Sequence, residues 1–128
     1  KSTLLDKMIA KGKIFYIIEN FLPNKEEKDI IKYTDKNWKF CIDNESQIWA
    51  YFLRDNLLFD TRFEQFKYVT EGPTTYGMPN TSPGRVGAWL GWQIVRAYMK
   101  ENPNKTIKDL IALTDGQKIL TASKYKPK

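Results

Sequence analysis

Apolar residues recur at intervals of three and four along most of this chain, and no stretch alternates with a period of two for long enough to make a strand. This periodicity places apolar side chains along one face of a helix. A length of 128 residues fits one domain. We therefore predict a single all-α domain over residues 1–128, an irregular helical bundle of about five to seven helices with one long Gly/Pro-rich loop.

The first two helices are predicted from spacing and end signals. Residues 3–22 predict an amphipathic helix that Pro23 ends. Asn24 lies three residues before Glu27, a capping-box pattern that predicts a short charged helix to about Tyr33. The apolar stripe of the first helix comprises Leu4, Leu5, Met8, Ile9, Gly12, Phe15, Tyr16 and Phe21.

A third helix is predicted from Asp35, its cap, to about Leu58. Its apolar stripe comprises Trp38, Cys41, Ile42, Ile48, Trp49, Phe52 and Leu53. Glu45 falls on the same stripe, where a carboxylate is costly unless it is paired, protonated or bound to a metal. Three interpretations stay open: Glu45 reaches solvent at the edge of the stripe, forms a buried ion pair, or takes part in catalysis.

The middle of the chain predicts a long ordered loop. Residues 71–83 contain Gly72, Pro73, Gly77, Pro79 and Pro83, too many breakers for a helix. A short helix around 62–70 precedes the loop. Ser82 and Pro83 predict the N-cap and first residue of the next helix, which stops before Pro103. Two short helices are predicted after it, at Thr106–Leu113 and from Thr114-Asp115.

Arg85 is predicted in the first turn of that long helix, where its positive charge opposes the helix dipole. Stability alone would favour an acidic residue there. Bidentate capture of a carboxylate, from Glu45 or from a ligand, is one use for this arginine. An exposed surface arginine is the alternative.

Gly84, Gly87 and Gly91 share one face of the same helix. A glycine inside a helix costs about 1 kcal/mol relative to alanine. Their repetition predicts the close approach of another backbone, either a neighbouring helix or an extended peptide ligand. A different face carries Arg85, Trp89, Trp92 and Arg96. Stacking of arginine on tryptophan could hold that face together, and we expect core packing for both tryptophans.

The positive charge of the chain is concentrated at one end. The net charge is +6, of which Lys118, Lys124, Lys126 and Lys128 contribute four, so that residues 1–117 hold only +2. A nucleic-acid binder clusters its cations on a structured face. We therefore predict that residues 118–128 form a frayed, solubilising basic tail, and that the chain binds no nucleic acid.

The chain has no histidine and one cysteine, Cys41. These counts exclude a Ser-His-Asp or Cys-His triad, an HExxH helix, a Cys/His zinc site and an internal disulfide within this segment. A metal site made of carboxylates stays open. No apolar run approaches the length of a membrane span.

Residues 82–99, with the sequence SPGRVGAWLGWQIVRAYM, resemble the C-terminal signature of the GldB gliding-motility lipoproteins of Bacteroidetes-type bacteria. Three further stretches agree with this resemblance: Leu4-Leu-Asp-Lys-Met-Ile with Gly12-Lys13, Asn44-Glu45-x-x-Ile48-Trp49-Ala50-Tyr51-Phe52, and Ser123-Lys-Tyr-Lys-Pro127. Together they span nearly the whole chain in order. The resemblance implies a bacterial envelope lipoprotein, periplasm-facing and lipid-anchored in its parent protein, with a role in gliding.

GldB-like proteins are in turn similar to a wider family of predicted zinc peptidases, whose HExxH helix lies upstream of the region matched here. The resemblance thus implies the C-terminal half of a larger protein, with any zinc site in the other half and no cofactor in this segment. The expected partners are that N-terminal half and other envelope or gliding-machinery proteins. The expected function is protein contact or peptide recognition, and the alternative is half of a zinc-dependent peptidase. By itself the segment is not expected to be an enzyme.

In the peptidase-like arrangement the two halves would share a cleft lined by the loop at 72–83 and the start of the Arg85 helix. Arg85 and Tyr76 would bind a substrate carbonyl or carboxylate, and Glu45 would orient Arg85. No catalytic or metal residue is assigned in this segment. The full predicted set of binding or supporting residues is Glu45, Tyr76, Ser82, Arg85, Trp89 and Gln93, with Gly84, Gly87 and Gly91 predicted for close packing.

Overall fold

The computed structural model describes residues 2–70 and 83–127. Within these ranges the chain is all-α, as predicted, with no β-strand. Its helices are α1 (Leu4–Phe21), α2 (Glu27–Ile31), α3 (Asp35–Asp43), α4 (Glu45–Leu53), α5 (Val86–Glu101), α6 (Ile107–Ala112) and α7 (Gly116–Ser123), with two 3₁₀ helices at Arg54–Phe59 and Phe63–Tyr68. The predicted loop lies outside the described residues except for Pro83.

The core is built around the contact between α1 and α5. Gly12 of α1 and Gly91 of α5 lie at their crossing, and a Cβ added to Gly91 would lie 1.9 Å from the carbonyl oxygen of Met8. The two backbones therefore touch, which only glycine permits. Both helices are completely buried along their facing sides, α1 through the stripe from Leu4 to Phe15 as predicted.

Aromatic side chains fill the space between α5 and its neighbours. Trp89 and Trp92 are fully buried, as expected for core residues. The ring of Trp38 from α3 packs edge-on against both, at centroid distances of 6.4 and 5.8 Å. Phe15 of α1 lies 5.3 Å from Trp92. These contacts fix α3 over the middle of α5.

The predicted helix from Asp35 to Leu58 is wrong in its extent. Asn44 breaks it with a non-helical backbone (φ −117°, ψ 18°), and its side-chain amide donates to the Phe40 carbonyl in addition to the regular helical bond from its backbone N–H. A second helix then begins and ends at Leu53. The predicted stripe is wrong at two positions, since Ile42 and Leu53 are about half exposed.

Two predicted caps are also wrong. Thr34, and not Asp35, caps α3, because the Thr34 hydroxyl accepts a hydrogen bond from the Asn37 backbone N–H at 3.1 Å. Glu26, and not Asn24, holds the N-cap position of α2 and makes no side-chain cap bond.

Two helix ends differ from the predictions as well. α2 stops at Ile31, two residues short of the predicted end, because Lys32 adopts a left-handed backbone (φ 62°). Phe21, predicted on the buried stripe of α1, is 72% exposed.

The C-terminal helices follow their sequence signals. Thr106 and Asp109 form the reciprocal cap of α6, and the Asp115 carboxylate caps α7. α7 packs against α5 with Ile119 and Ser123 buried. The prediction of a frayed end is therefore wrong for residues 118–123, which are part of α7. No helix within the described part of the chain is both long and apolar enough to cross a membrane.

Candidate functional site

Arg85 precedes α5 in a left-handed backbone conformation (φ 59°, ψ 31°). Four other described non-glycine residues have positive φ, and each has an ordinary reason. Lys32 and Lys124 end helices, where this conformation is common, and Asp55 and Asn56 are residue types that tolerate it. Arg85 stands at the start of a helix and is of neither type. Such a conformation costs about 1–3 kcal/mol.

The sequence signals for this helix start were misleading. α5 begins at Val86, so Pro83 does not occupy the first helical position as predicted. Gly84 and Arg85 form a turn before the helix instead. Arg85 therefore holds the N-cap position, and its side chain makes no capping hydrogen bond.

The last residue of α2 and the segment that follows it hold Arg85 from the side. The Arg85 guanidinium donates a hydrogen bond to the carbonyl of Ile31 and lies 5.5 Å from the centre of the Tyr33 ring. The Tyr33 hydroxyl donates to the Gly84 carbonyl at 2.5 Å. Burial raises the pKa of Tyr33, so this phenol remains a neutral donor. The turn before α5 is thus fixed on both its backbone and its side chain.

Cys41 lies next to Tyr33 and is fully buried. Burial raises the pKa of its thiol to about 12, although the hydrogen bond with Tyr33 opposes the shift. A thiol with that pKa is protonated at neutral pH and is a poor nucleophile. The cysteine therefore belongs to the packing beneath Arg85.

A cleft of about 270 Å³ opens between α1 and the start of α5. Its lining residues are Lys11, Ile14, Phe15, Val69, Thr70, Arg85 and Ala88. Two of these are cations, none is an acid, and most of the others are apolar. A carboxylate that carries a neighbouring apolar group matches this lining.

Tyr33 and Lys11 were missed by the sequence analysis. Tyr33 was placed only at the end of a short helix, and its bond to Gly84 spans 51 residues. Lys11 lies off the buried stripe of α1, where a lysine needs no explanation. No local spacing relates either residue to Arg85, so no signal in one sequence could have found them.

Glu45 is paired with Tyr125 instead of Arg85. The Tyr125 hydroxyl donates to Glu45 Oε2 at 2.6 Å, and its ring packs edge-on against Trp49 at 5.1 Å. Within the described ranges, Glu45 and Arg85 form no ion pair. The break at Asn44 puts Glu45 at the start of a separate helix, α4. Its carboxylate joins the end of the chain to that helix and does not orient Arg85.

The other predicted site residues do not gather around the cleft. Trp89 is buried in the core, and its indole Nε1 has no hydrogen-bond partner in the described part of the chain. Gln93 donates to the Trp89 carbonyl at 3.3 Å and accepts from Arg96 at 3.2 Å. Tyr76 and Ser82 lie outside the described residues.

The predicted close-packing glycines meet the protein's own backbone. A Cβ on Gly87 would lie 2.6 Å from the Tyr68 carbonyl oxygen, and Gly91 touches α1 as described above. Gly84 contributes the carbonyl that accepts from Tyr33. The space beside Gly87 and Gly91 is thus filled by a 3₁₀ helix and by α1, and not by an extended peptide.

A second arginine cluster lies nearer the C-terminal end of α5. Arg96 donates to both carboxylate oxygens of Glu19 at 2.9 and 2.8 Å and also pairs with Glu27. Its guanidinium lies 4.2 Å from the centre of the Trp92 ring, which confirms the expected stacking of arginine on tryptophan. The Trp92 Nε1 donates to Glu19 at 2.8 Å. Every member of this cluster is satisfied by another member.

Residues 2–70 and 83–127 contain no group of three or more His, Cys, Asp or Glu side chains that could hold a metal ion. The relation to zinc peptidases stays a prediction that concerns the parent protein.

The family model described as gliding motility protein GldB matches residues 1–127. No curated protein and no solved structure matches the chain.

Proposed function

The chain belongs to the GldB family of gliding motility proteins, and from that premise we propose that it is a non-catalytic binding module of the gliding machinery. The family is one of envelope lipoproteins. In this proposal the chain faces the periplasm and binds a peptide segment of another envelope protein. The Arg85 cleft holds a carboxylate of that segment. Its partners are other gliding-machinery proteins and the N-terminal half of its parent protein.

The observation that carries the proposal is the strained backbone of Arg85. A glycine at position 85 would remove this strain. The chain places its glycine one residue earlier, at Gly84, and keeps an arginine at the strained position. An arginine kept there at a cost of about 1–3 kcal/mol supports a use other than stability. Strained residues cluster at ligand-binding sites, where the surrounding structure holds them in place.

The hydrogen bonding of Arg85 supports a carboxylate as the ligand group. A guanidinium has five N–H donors in a planar fork. The Ile31 carbonyl takes one of them, and the Tyr33 ring approaches the guanidinium without taking a donor. No other acceptor meets the guanidinium among the residues that the structure describes, and a pair of its N–H groups matches the geometry of a bidentate carboxylate. Lys11 adds a second positive charge to the same cleft, and Phe15 with Val69 offers apolar contact to a neighbouring side chain.

The residue inventory supports binding over catalysis by this segment. The chain has no histidine to act as a base near neutral pH. Its one thiol is protonated, because burial raises the pKa of Cys41 to about 12. Glu45, the carboxylate considered for catalysis, accepts a hydrogen bond from the Tyr125 hydroxyl.

The test replaces the gene in its native gliding strain with the Arg85→Gly variant. Glycine accepts the left-handed backbone without strain while removing the whole arginine side chain, so the protein should accumulate at the wild-type level by immunoblot. We expect colony spreading to be lost. The matched control is Lys124→Gly, which makes the same change at another left-handed residue and should spread normally. Normal spreading of the Arg85→Gly strain would overturn the proposal.

A further inference from the structure

α1 is apolar on its outer side as well as on its buried side. Ala10, Ile14, Ile17 and Phe21 follow one another at helical spacing on the side turned away from α5, and Leu22 continues them at the helix end. Ile14 is 53% exposed, Phe21 72% and Leu22 51%. Single exposed apolar residues are ordinary, but a continuous row along one helix is typical of an interaction surface.

The charges on this side of α1 are positive. Lys7 and Lys11 lie beside the apolar row. The acid in the second half of the helix, Glu19, turns inward and is held by Trp92 and Arg96. We call the row Ala10, Ile14, Ile17, Phe21 and Leu22, together with Lys7 and Lys11, the outer face of α1.

We propose that the outer face of α1 lies on the surface of a lipid bilayer that contains anionic headgroups. A helix with apolar residues in a row and lysines beside them binds in the interface plane of such a membrane. Phe21, Leu22 and Ile14 would enter the boundary between headgroups and acyl chains. The lysine side chains are long enough to reach the phosphates from the same face.

Two observations favour a lipid surface over a protein partner as the occupant. Apart from Lys11 and Ile14, which also line the Arg85 cleft, the outer face is the convex side of one helix, about 22 Å long from Lys7 to Leu22, whereas ligand pockets are concave. Its most exposed members, Phe21 and Leu22, lie outside the Arg85 cleft and protrude at a helix end before Pro23. A lipoprotein of the envelope is also held close to a bilayer.

The experiment is co-sedimentation of the full chain with vesicles of phosphatidylethanolamine and phosphatidylglycerol. We expect the wild-type chain to bind, and the Phe21→Ser/Leu22→Ser double variant to bind at least about tenfold more weakly because it loses two inserted apolar side chains. Ile111→Ser is the matched control, because Ile111 is a similarly exposed apolar residue on α6, and it should bind like the wild type. Binding should also weaken as salt is added.

Two results would overturn this inference. The first is a wild-type chain that does not sediment with the vesicles, as expected if a protein covers the outer face instead. The second is a double variant that binds as well as the wild type while its thermal unfolding is unchanged. The Arg85→Gly variant should keep vesicle binding, so failure here and failure of the proposed peptide cleft are distinguishable.

Discussion

Two arginines, one at the N-cap of α5 and one in its C-terminal half, show how the same side chain serves two purposes. Arg96 lies over Trp92 at 4.2 Å and Arg85 beside Tyr33 at 5.5 Å, so each is positioned by an aromatic ring. Arg96 is paired with carboxylates of α1 and α2. Arg85 has a backbone carbonyl as its partner and no carboxylate among the described residues.

The two arginines also differ in backbone conformation. Arg96 lies within a regular helix, while Arg85 adopts a left-handed conformation just before it. Arg96 of α5 pairs with Glu19 of α1 and Glu27 of α2, so it joins three helices, as expected of a residue that stabilises the fold. Arg85 accepts strain, and within residues 2–70 and 83–127 its one hydrogen-bond acceptor is the Ile31 carbonyl.

The largest expected effect is at Gly91, because this glycine lets α5, the helix that carries Arg96, pack directly against α1. Alanine there would place a methyl group 1.9 Å from the Met8 carbonyl oxygen, and the two helices would have to separate. We expect Gly91→Ala to lower the free energy of unfolding by about 3 kcal/mol or more, measured in urea. Gly87→Ala, with its closest approach at 2.6 Å, should lower it less. An equal effect of the two variants would contradict the packing described for α1 and α5.

Arg96→Ala should be the next most destabilising change. It leaves the partly buried Glu19 without its cation and uncovers Trp92. We expect a loss of about 2 kcal/mol in the free energy of unfolding. Arg85→Ala should lose about 1 kcal/mol or less, because it removes one hydrogen bond and a distant ring contact. If Arg85→Ala is the more damaging change, the division between a structural and a binding arginine is wrong.

Tyr33→Phe tests the clamp on the turn before α5. The variant leaves the buried Gly84 carbonyl without its donor, and we expect a loss of about 1 kcal/mol in the free energy of unfolding. Tyr16→Phe is the control, because the Tyr16 hydroxyl makes no hydrogen bond within the described part of the chain. Equal stability of Tyr33→Phe and the wild type would show that the turn is held in another way.

The reactivity of the Cys41 thiol measures, without any mutation, how readily the packing around Tyr33 opens. Its thiol is buried and its pKa is about 12, so at pH 8 only about one molecule in 10⁴ carries the thiolate in the folded state. We expect iodoacetamide to modify Cys41 slowly at pH 8 and quickly once urea unfolds the chain, as followed by mass spectrometry. Rapid modification of the folded chain would mean that the region under Arg85 opens readily.

Local signals in the sequence predicted most of the helices. The caps of α6 and α7, the end of α5 before Pro103 and the stacking of Arg96 on Trp92 all involve residues within four positions of each other. The break at Asn44 could not be predicted in the same way. The apolar spacing continues through it, and the break lies in the backbone conformation of a single residue, which spacing does not report.

The candidate site was predicted only in part. Arg85 stood out because its charge is wrong for the start of a helix. Its real surroundings could not be inferred, because Tyr33 and Ile31 lie more than 50 residues away. The expected partner Glu45 is held by Tyr125, 80 residues along the chain. Contacts at such separations depend on the packing of helices, which periodicity does not specify.

The central claim is that Arg85 is kept in a strained backbone at a cost in stability. The direct test is the difference in the free energy of unfolding between Arg85→Gly and Arg85→Ala, since both lack the guanidinium and glycine alone tolerates positive φ without strain. We predict that Arg85→Gly is the more stable by about 1 kcal/mol, although glycine is the more flexible residue in the unfolded chain. An Arg85→Ala variant that is equally or more stable would contradict the claim.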